Sequence, residues 1–259
     1  MPDSPLRDQP SRGEGPEGSE VSDHQHVAME HRHRSVGGGG ARAAVFGVSD
    51  GLVSNTSLVL GIAGAHAAVG VLRLAGLAGL LGGAFSMAAG EYVSMRAQQE
   101  LLERELEIER DEILRWPEGE RRELAAIYER RGIDSDVAHQ LATTMMADPE
   151  RALGAHAREE LGIDPDTLGS PIQAALASFV TFALGAAVPL VPFLAGKGTA
   201  AALVAVVVAG TVALVVGGVL AVFTGRSWWR SAFRELLICA AAGAVTFAIG
   251  SAVGASGIA

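Results

Sequence analysis

The sequence predicts an all-α, polytopic membrane protein with five transmembrane helices and a cytosolic helical insert between the second and third. Three observations carry this. The 259 residues are 49% hydrophobic but only 5% aromatic, with a mean hydropathy of +0.30, yet they include 29 acidic and 20 basic side chains. Those charges are segregated into roughly the first 40 residues and the stretch from Arg96 to about Asp166, leaving Ala43 to Ser94 and Pro171 to the end nearly charge-free. The charge-free parts divide into five apolar windows of about 20 residues, the length a helix needs to cross a hydrocarbon core of about 30 Å.

Four segments follow: a tail over 1–40, helices one and two over 41–95, the helical insert over 96–170, and helices three to five over 171–259. The tail is rich in Pro, Gly, Ser, Glu and His and lacks an apolar core, so it reads as disordered and not as a cleavable secretory signal. Its His24, His26, His31 and His33 form a tract with no fixed geometry, suited only to weak metal collection.

The five spans are expected at Ala44–Ala65, Leu74–Ser94, Ile172–Leu194, Ala200–Phe223 and Phe233–Gly254. The first is the least apolar, because FGVSDGLVSNTSLVLGIAGA places Ser49, Asp50, Ser54, Asn55, Thr56 and Ser57 where lipid penalises them. Arg32, Arg34 and Arg42, the arginine-rich insert, and Arg226, Arg230 and Arg234 fall on one side, against Arg73 and Lys197 on the other. The positive-inside bias therefore predicts a cytosolic N-terminus and insert with the C-terminus outside. Gly79 with Gly83 and Gly250 with Gly254 have small-xxx-small spacing, read either as internal packing or as a dimer face.

The insert opens with QQELLERELEIERDEILRW, whose apolar residues recur at helical spacing and continue the second span. Trp116-Pro117 breaks it, since proline suits a first turn and disfavours a helical residue before it. A second helix runs from Glu120 to Arg131 and stops at Gly132. A third is capped by Ser135 or Asp136 and runs towards Asp148, and a short fourth covers about Arg151 to Leu161.

An ionisable residue within an apolar span is a functional candidate by default, and Asp50 is that residue. Met87, Glu91 and Met95 recur every four residues on one face of span two, leading from the membrane towards the insert. Carboxylate with thioether is a mixed hard and soft ligand set that favours a first-row transition metal over calcium or magnesium, although Met87 alone reads equally well as packing. In the insert, Glu109 with Glu112 and Glu120 with Glu123 are i, i+3 pairs flanking the Trp116-Pro117 break. Folding back would bring four carboxylates together, and the alternative is a solvated acidic face. Met145-Met146 and Glu150 lie near enough to join them. The net charge of −9 argues against a nucleic-acid partner. No catalytic triad, Cys/His pair or nucleotide-binding loop points to an enzyme, and no prosthetic group is expected. Cys239, the single cysteine, reads as packing.

FGVSDGLVSNTSLVLG in span one, GAFSMAAGEYVSMRAQQE closing span two, and a Glu-rich insert before three more spans resemble the vacuolar iron transporter family from about His33 onward. The resemblance implies a five-span homodimer that exchanges cytosolic iron(II) or manganese(II) for protons. Asp50 and Met87 would be pathway ligands, and Glu109, Glu112, Glu120, Glu123, Met145, Met146 and, across a one-residue gap, Glu150 the insert's metal ligands. The sequence departs from members with a carboxylate deeper in span two, for LAGLAGLLGG offers none. A composition rich in Ala, Gly and Arg points to a bacterial plasma membrane, with an internal storage membrane as the eukaryotic alternative. A membrane-anchored metal sensor or buffer is the competing function.

Overall fold

The structure, a computed structural model, describes residues 39–162 and 169–256, and every regular element among them is a helix. In chain order these are α1 (Gly39–Gly64), α2 (Val69–Arg115), α3 (Pro117–Arg130), α4 (Ser135–Met146), α5 (Pro149–Glu159), α6 (Pro171–Ala195), α7 (Gly198–Thr224) and α8 (Trp228–Ala255). Five of them, α1, α2, α6, α7 and α8, are long and apolar enough to cross a bilayer, in agreement with the apolar windows. The chain is a multi-pass membrane protein. Large apolar side chains such as Leu74, Leu81, Val207 and Phe233 point outward on these helices, which suits hydrocarbon and not water. The tail histidines lie outside the described residues.

The most polar span is central. α1 packs most extensively on α6 and α8 and also touches α2 and α7, so Asn55 and Thr56 are 2% and 3% exposed. Small residues make that closeness possible in lipid. A Cβ at Gly51 would collide with the Phe182 carbonyl on α6, and one at Gly250 of α8 with the Gly61 carbonyl on α1. Gly250 and Gly254 thus serve packing within the chain. α6 carries Pro189 and Pro192 inside its length, which withdraws two donors from its ladder. Its C-terminal carbonyls are met from α2, where Arg73 donates to Phe193, Leu194 and Gly196 at 2.7, 3.4 and 3.3 Å.

α2 runs unbroken for 47 residues, far more than a bilayer needs. Glu91 and Glu109 are 18 positions apart on it (109 − 91 = 18), five full turns, so they share a face about 27 Å apart along the axis. The break falls at Trp116, with Pro117 in the first turn of α3. Gly132, at φ +91°, supplies the left-handed residue after α3. The cap of α4 is Asp134, one position before Ser135 and two before Asp136: its side chain accepts from the Asp136 amide at 3.0 Å. α3, α4 and α5 close around Leu124, Ala125, Tyr128, Ala138 and Ala142, and the end of α2 packs on α5 through Ile113, Ala152 and Leu153.

Two candidate metal-binding sites

The first site lies between α1, α2 and α6. Asp50, Ser54 and Asn55 of α1, Ser86 and Met87 of α2 and Phe182 of α6 are among the residues around a cavity of about 310 Å³. Ser54 donates to Asp50 Oδ1 at 2.8 Å, holding the carboxylate one turn away in place while leaving Asp50 exposed. Asn55 donates from Nδ2 to the Ala186 carbonyl at 2.6 Å, and its buried Oδ1 accepts no hydrogen bond. A buried amide oxygen without a donor is unfavourable in an apolar setting and is readily satisfied by a cation. With Met87 the cavity presents a carboxylate, an amide oxygen and a thioether, hard and soft donors together. Asn55 appeared in the sequence only as one of several polar residues in span one. Glu91 is half-buried one turn beyond Met87, whereas Met95, next on that stripe, is buried at 8% exposure and packs inward.

The second site lies where the end of α2 meets α3 and α5. Its centre is His156, fully buried, with Nδ1 3.0 Å from Glu109 Oε1, 3.4 Å from Glu160 Oε2 and 3.9 Å from Glu120 Oε2. Glu109 is 4% exposed. α2 supplies Glu109, the turn at Trp116-Pro117 returns Glu120, and α5 brings His156 and Glu160 on consecutive turns of one face. Of the expected carboxylates, Glu109 and Glu120 therefore meet at one ring, while Glu112 and Glu123 are exposed and act on Glu120 as neighbouring charges. Met145 and Met146 are both partly buried: Met145 packs on the α3–α4 core and Met146 on the Ile113–Leu153 cluster. Glu150 points to solvent 3.9 Å from Arg110. His156 and Glu160 were absent from the sequence-derived set.

Burial first, and neighbouring charges second, govern the protons here. Burial raises the pKa of Glu120, and Glu109, Glu123 and Glu112 raise it further against the pull of His156. Burial likewise lifts Glu160, helped by Glu109 and Glu123 and opposed by its contact with His156. For His156 burial favours the neutral ring, but Glu109, Glu160 and Glu120 outweigh it and the net shift is upward. All three groups thus hold protons more tightly folded than unfolded. The stability they contribute is complete below their ordinary values, 4.5 and 6.5, and is lost as pH rises through the raised ones. A divalent cation bound here would displace those protons, so any rise in melting temperature produced by manganese(II) should grow as pH climbs above the ordinary values of 4.5 and 6.5. Scanning fluorimetry of the detergent-solubilised chain reads this directly, and an increment independent of pH would count against it.

Comparison with known proteins comes to the same sequence range. The VIT family model matches residues 41–251. A protein named vacuolar iron transporter from Acanthamoeba castellanii is 35% identical over 229 residues, covering 85% of this chain and 81% of that protein. Proteins named vacuolar iron transporter 1 from Eucalyptus grandis and Arabidopsis thaliana are each 31% identical, covering 82% of this chain and 86% and 85% of theirs.

Proposed function

The chain belongs to the VIT family, and from that premise we propose that it transports iron(II), with manganese(II) as a second substrate, out of the cytosol in exchange for protons. The observation that carries this reading is the Asp50 cavity: a carboxylate, an amide oxygen without a donor and a thioether opening off the middle of a membrane helix. An inert anchor has no use for that arrangement. The names of the relatives speak for iron and for an internal compartment, while the composition speaks for a bacterial plasma membrane. In either membrane the positive-inside bias puts the insert in the cytosol, where it captures the ion.

Asp50 is exposed in the single chain although it sits mid-span, and a bare carboxylate facing lipid is costly. A second copy laid along the exposed apolar face of α2, with Leu77, Leu81 and Phe85, would cover the cavity mouth and enclose a path. This supports a homodimer. Carboxylates bind the metal only when deprotonated, so protons arriving from the far side at Asp50 would displace the ion outward, which is the basis of antiport.

The test is uptake of iron(II) and manganese(II) into proteoliposomes under imposed pH gradients, with a pH dye inside. Metal entry that follows the gradient and drives protons the other way is the expected result. Entry indifferent to the gradient would remove the antiport. Metal bound to the insert with none crossing would instead make the chain a membrane-anchored sensor or buffer.

A further inference from the structure

We infer that His156 is a metal ligand and the residue that sets the selectivity of the insert site, turning a carboxylate cluster into a mixed imidazole and carboxylate site for iron(II)-like ions. The inference rests on the capture role given to the insert above and adds to it a donor of a different chemical class.

The plainer account of a buried histidine beside a glutamate is an ion pair that holds two helices together. Three observations disfavour it. Glu109 Oε1 is buried and has no well-aimed donor although Nδ1 lies 3.0 Å away, so the contact is close but poorly directed for a hydrogen bond. The ion pairs of Glu109, Glu120 and Glu160 all run to this one ring, which supplies at most one positive charge against three negative ones. A structural pair needs one carboxylate, and two surplus charges, Glu120 half-buried and Glu160 at the exposed rim, add repulsion to it. The spacing is also that of ligands: donors bound at about 2.1 Å and at right angles lie about 3.0 Å apart, with wider angles giving the longer separations seen to Glu160 and Glu120. A dication among these oxygens, bound to neutral Nδ1, would bring the net charge from −3 to −1.

Selectivity follows from the donor. Oxygen-only sites suit magnesium, calcium and manganese(II), whereas imidazole suits iron(II) and the ions after it in the first-row series. Nitrogen at this position therefore shifts the insert towards iron(II) and away from manganese(II) and the abundant hard cations. Glu109 and Glu120 are recognisable from their spacing, but the residue that discriminates among ions sits on α5, in a stretch of alanines.

The test uses the full chain in detergent, loaded with manganese(II) and read by pulsed electron paramagnetic resonance for nitrogen coupling from a bound imidazole. Coupling is expected in the wild type and should vanish in His156→Gln, which still holds manganese(II) through its carboxylates. Cobalt(II), a redox-stable stand-in for iron(II), should lose at least about tenfold in affinity in the same variant, and manganese(II) less. Absence of coupling in the bound wild type overturns the inference whether or not the variant folds, and so does coupling that persists in His156→Gln from other histidines. If Glu109→Gln binds metal as the wild type does, the insert site itself is refuted along with its capture role. Transport through the Asp50 cavity is read separately in proteoliposomes and is untouched by any of these results.

Discussion

Replacing Asp50 with alanine is expected to reduce iron(II) and manganese(II) uptake by proteoliposomes to that of empty vesicles. Of the donors at the cavity, Asp50 supplies the charge, and Asn55 Oδ1 and Met87 are neutral. A dication leaving water loses a hydration free energy that neutral donors in low dielectric do not restore, so removing the one opposing charge removes the intermediate state on which crossing depends. The loss should exceed about a hundredfold, the upper end of what changes in merely supporting groups produce. The protein should still fold, because the carboxylate is exposed and its hydrogen bond from Ser54 is local to one helix. Asp50→Asn, equal in shape, should lose transport as completely, which separates charge from packing. Uptake in either variant above about a tenth of the wild-type rate would rule out an obligatory role for this carboxylate.

The five spans were legible because twenty apolar residues in a row are a one-dimensional signal, read without knowing any contact. The helix break was legible for the same reason, since Trp116-Pro117 acts on its own neighbours. The insert site was half legible. Glu109 and Glu120 stand in charged pairs with a turn between them, so their convergence follows from local geometry. His156 lies in GAHARE and meets Glu109 only because α5 folds back on the end of α2. The signal that was present is Glu160 four residues after it, the spacing that puts two donors on one face of a helix. Met145 carries two signals at once. Besides its adjacency to Met146, its spacing from Leu141, with Ala138 and Ala142 alongside, puts it on the apolar face of α4, where it is partly buried. The cavity beside Asp50 could not be read at all, because it depends on how α2 and α6 lean on α1.

Glu109→Gln should separate capture from translocation. Glu109 is the carboxylate nearest His156, it is buried, and its charge raises the pKa of both Glu120 and Glu160. The amide removes one negative charge and the closest oxygen donor together, so metal binding to the insert should fall by about a hundredfold or more, measured by titration of the detergent-solubilised chain. The apo protein should not suffer. One fewer like charge relieves Glu120 and Glu160, so the melting temperature without metal should hold or rise at neutral and alkaline pH, opposite to what loss of a structural ion pair would give. In proteoliposomes oriented with the insert facing the added metal, the concentration for half-maximal uptake should rise several-fold while the maximal rate is kept, because a site that gathers ions about 27 Å along α2 from Glu91 changes supply and not passage. A fall in maximal rate at saturating metal would mean that the insert takes part in the crossing step itself, coupled to the span along the unbroken length of α2.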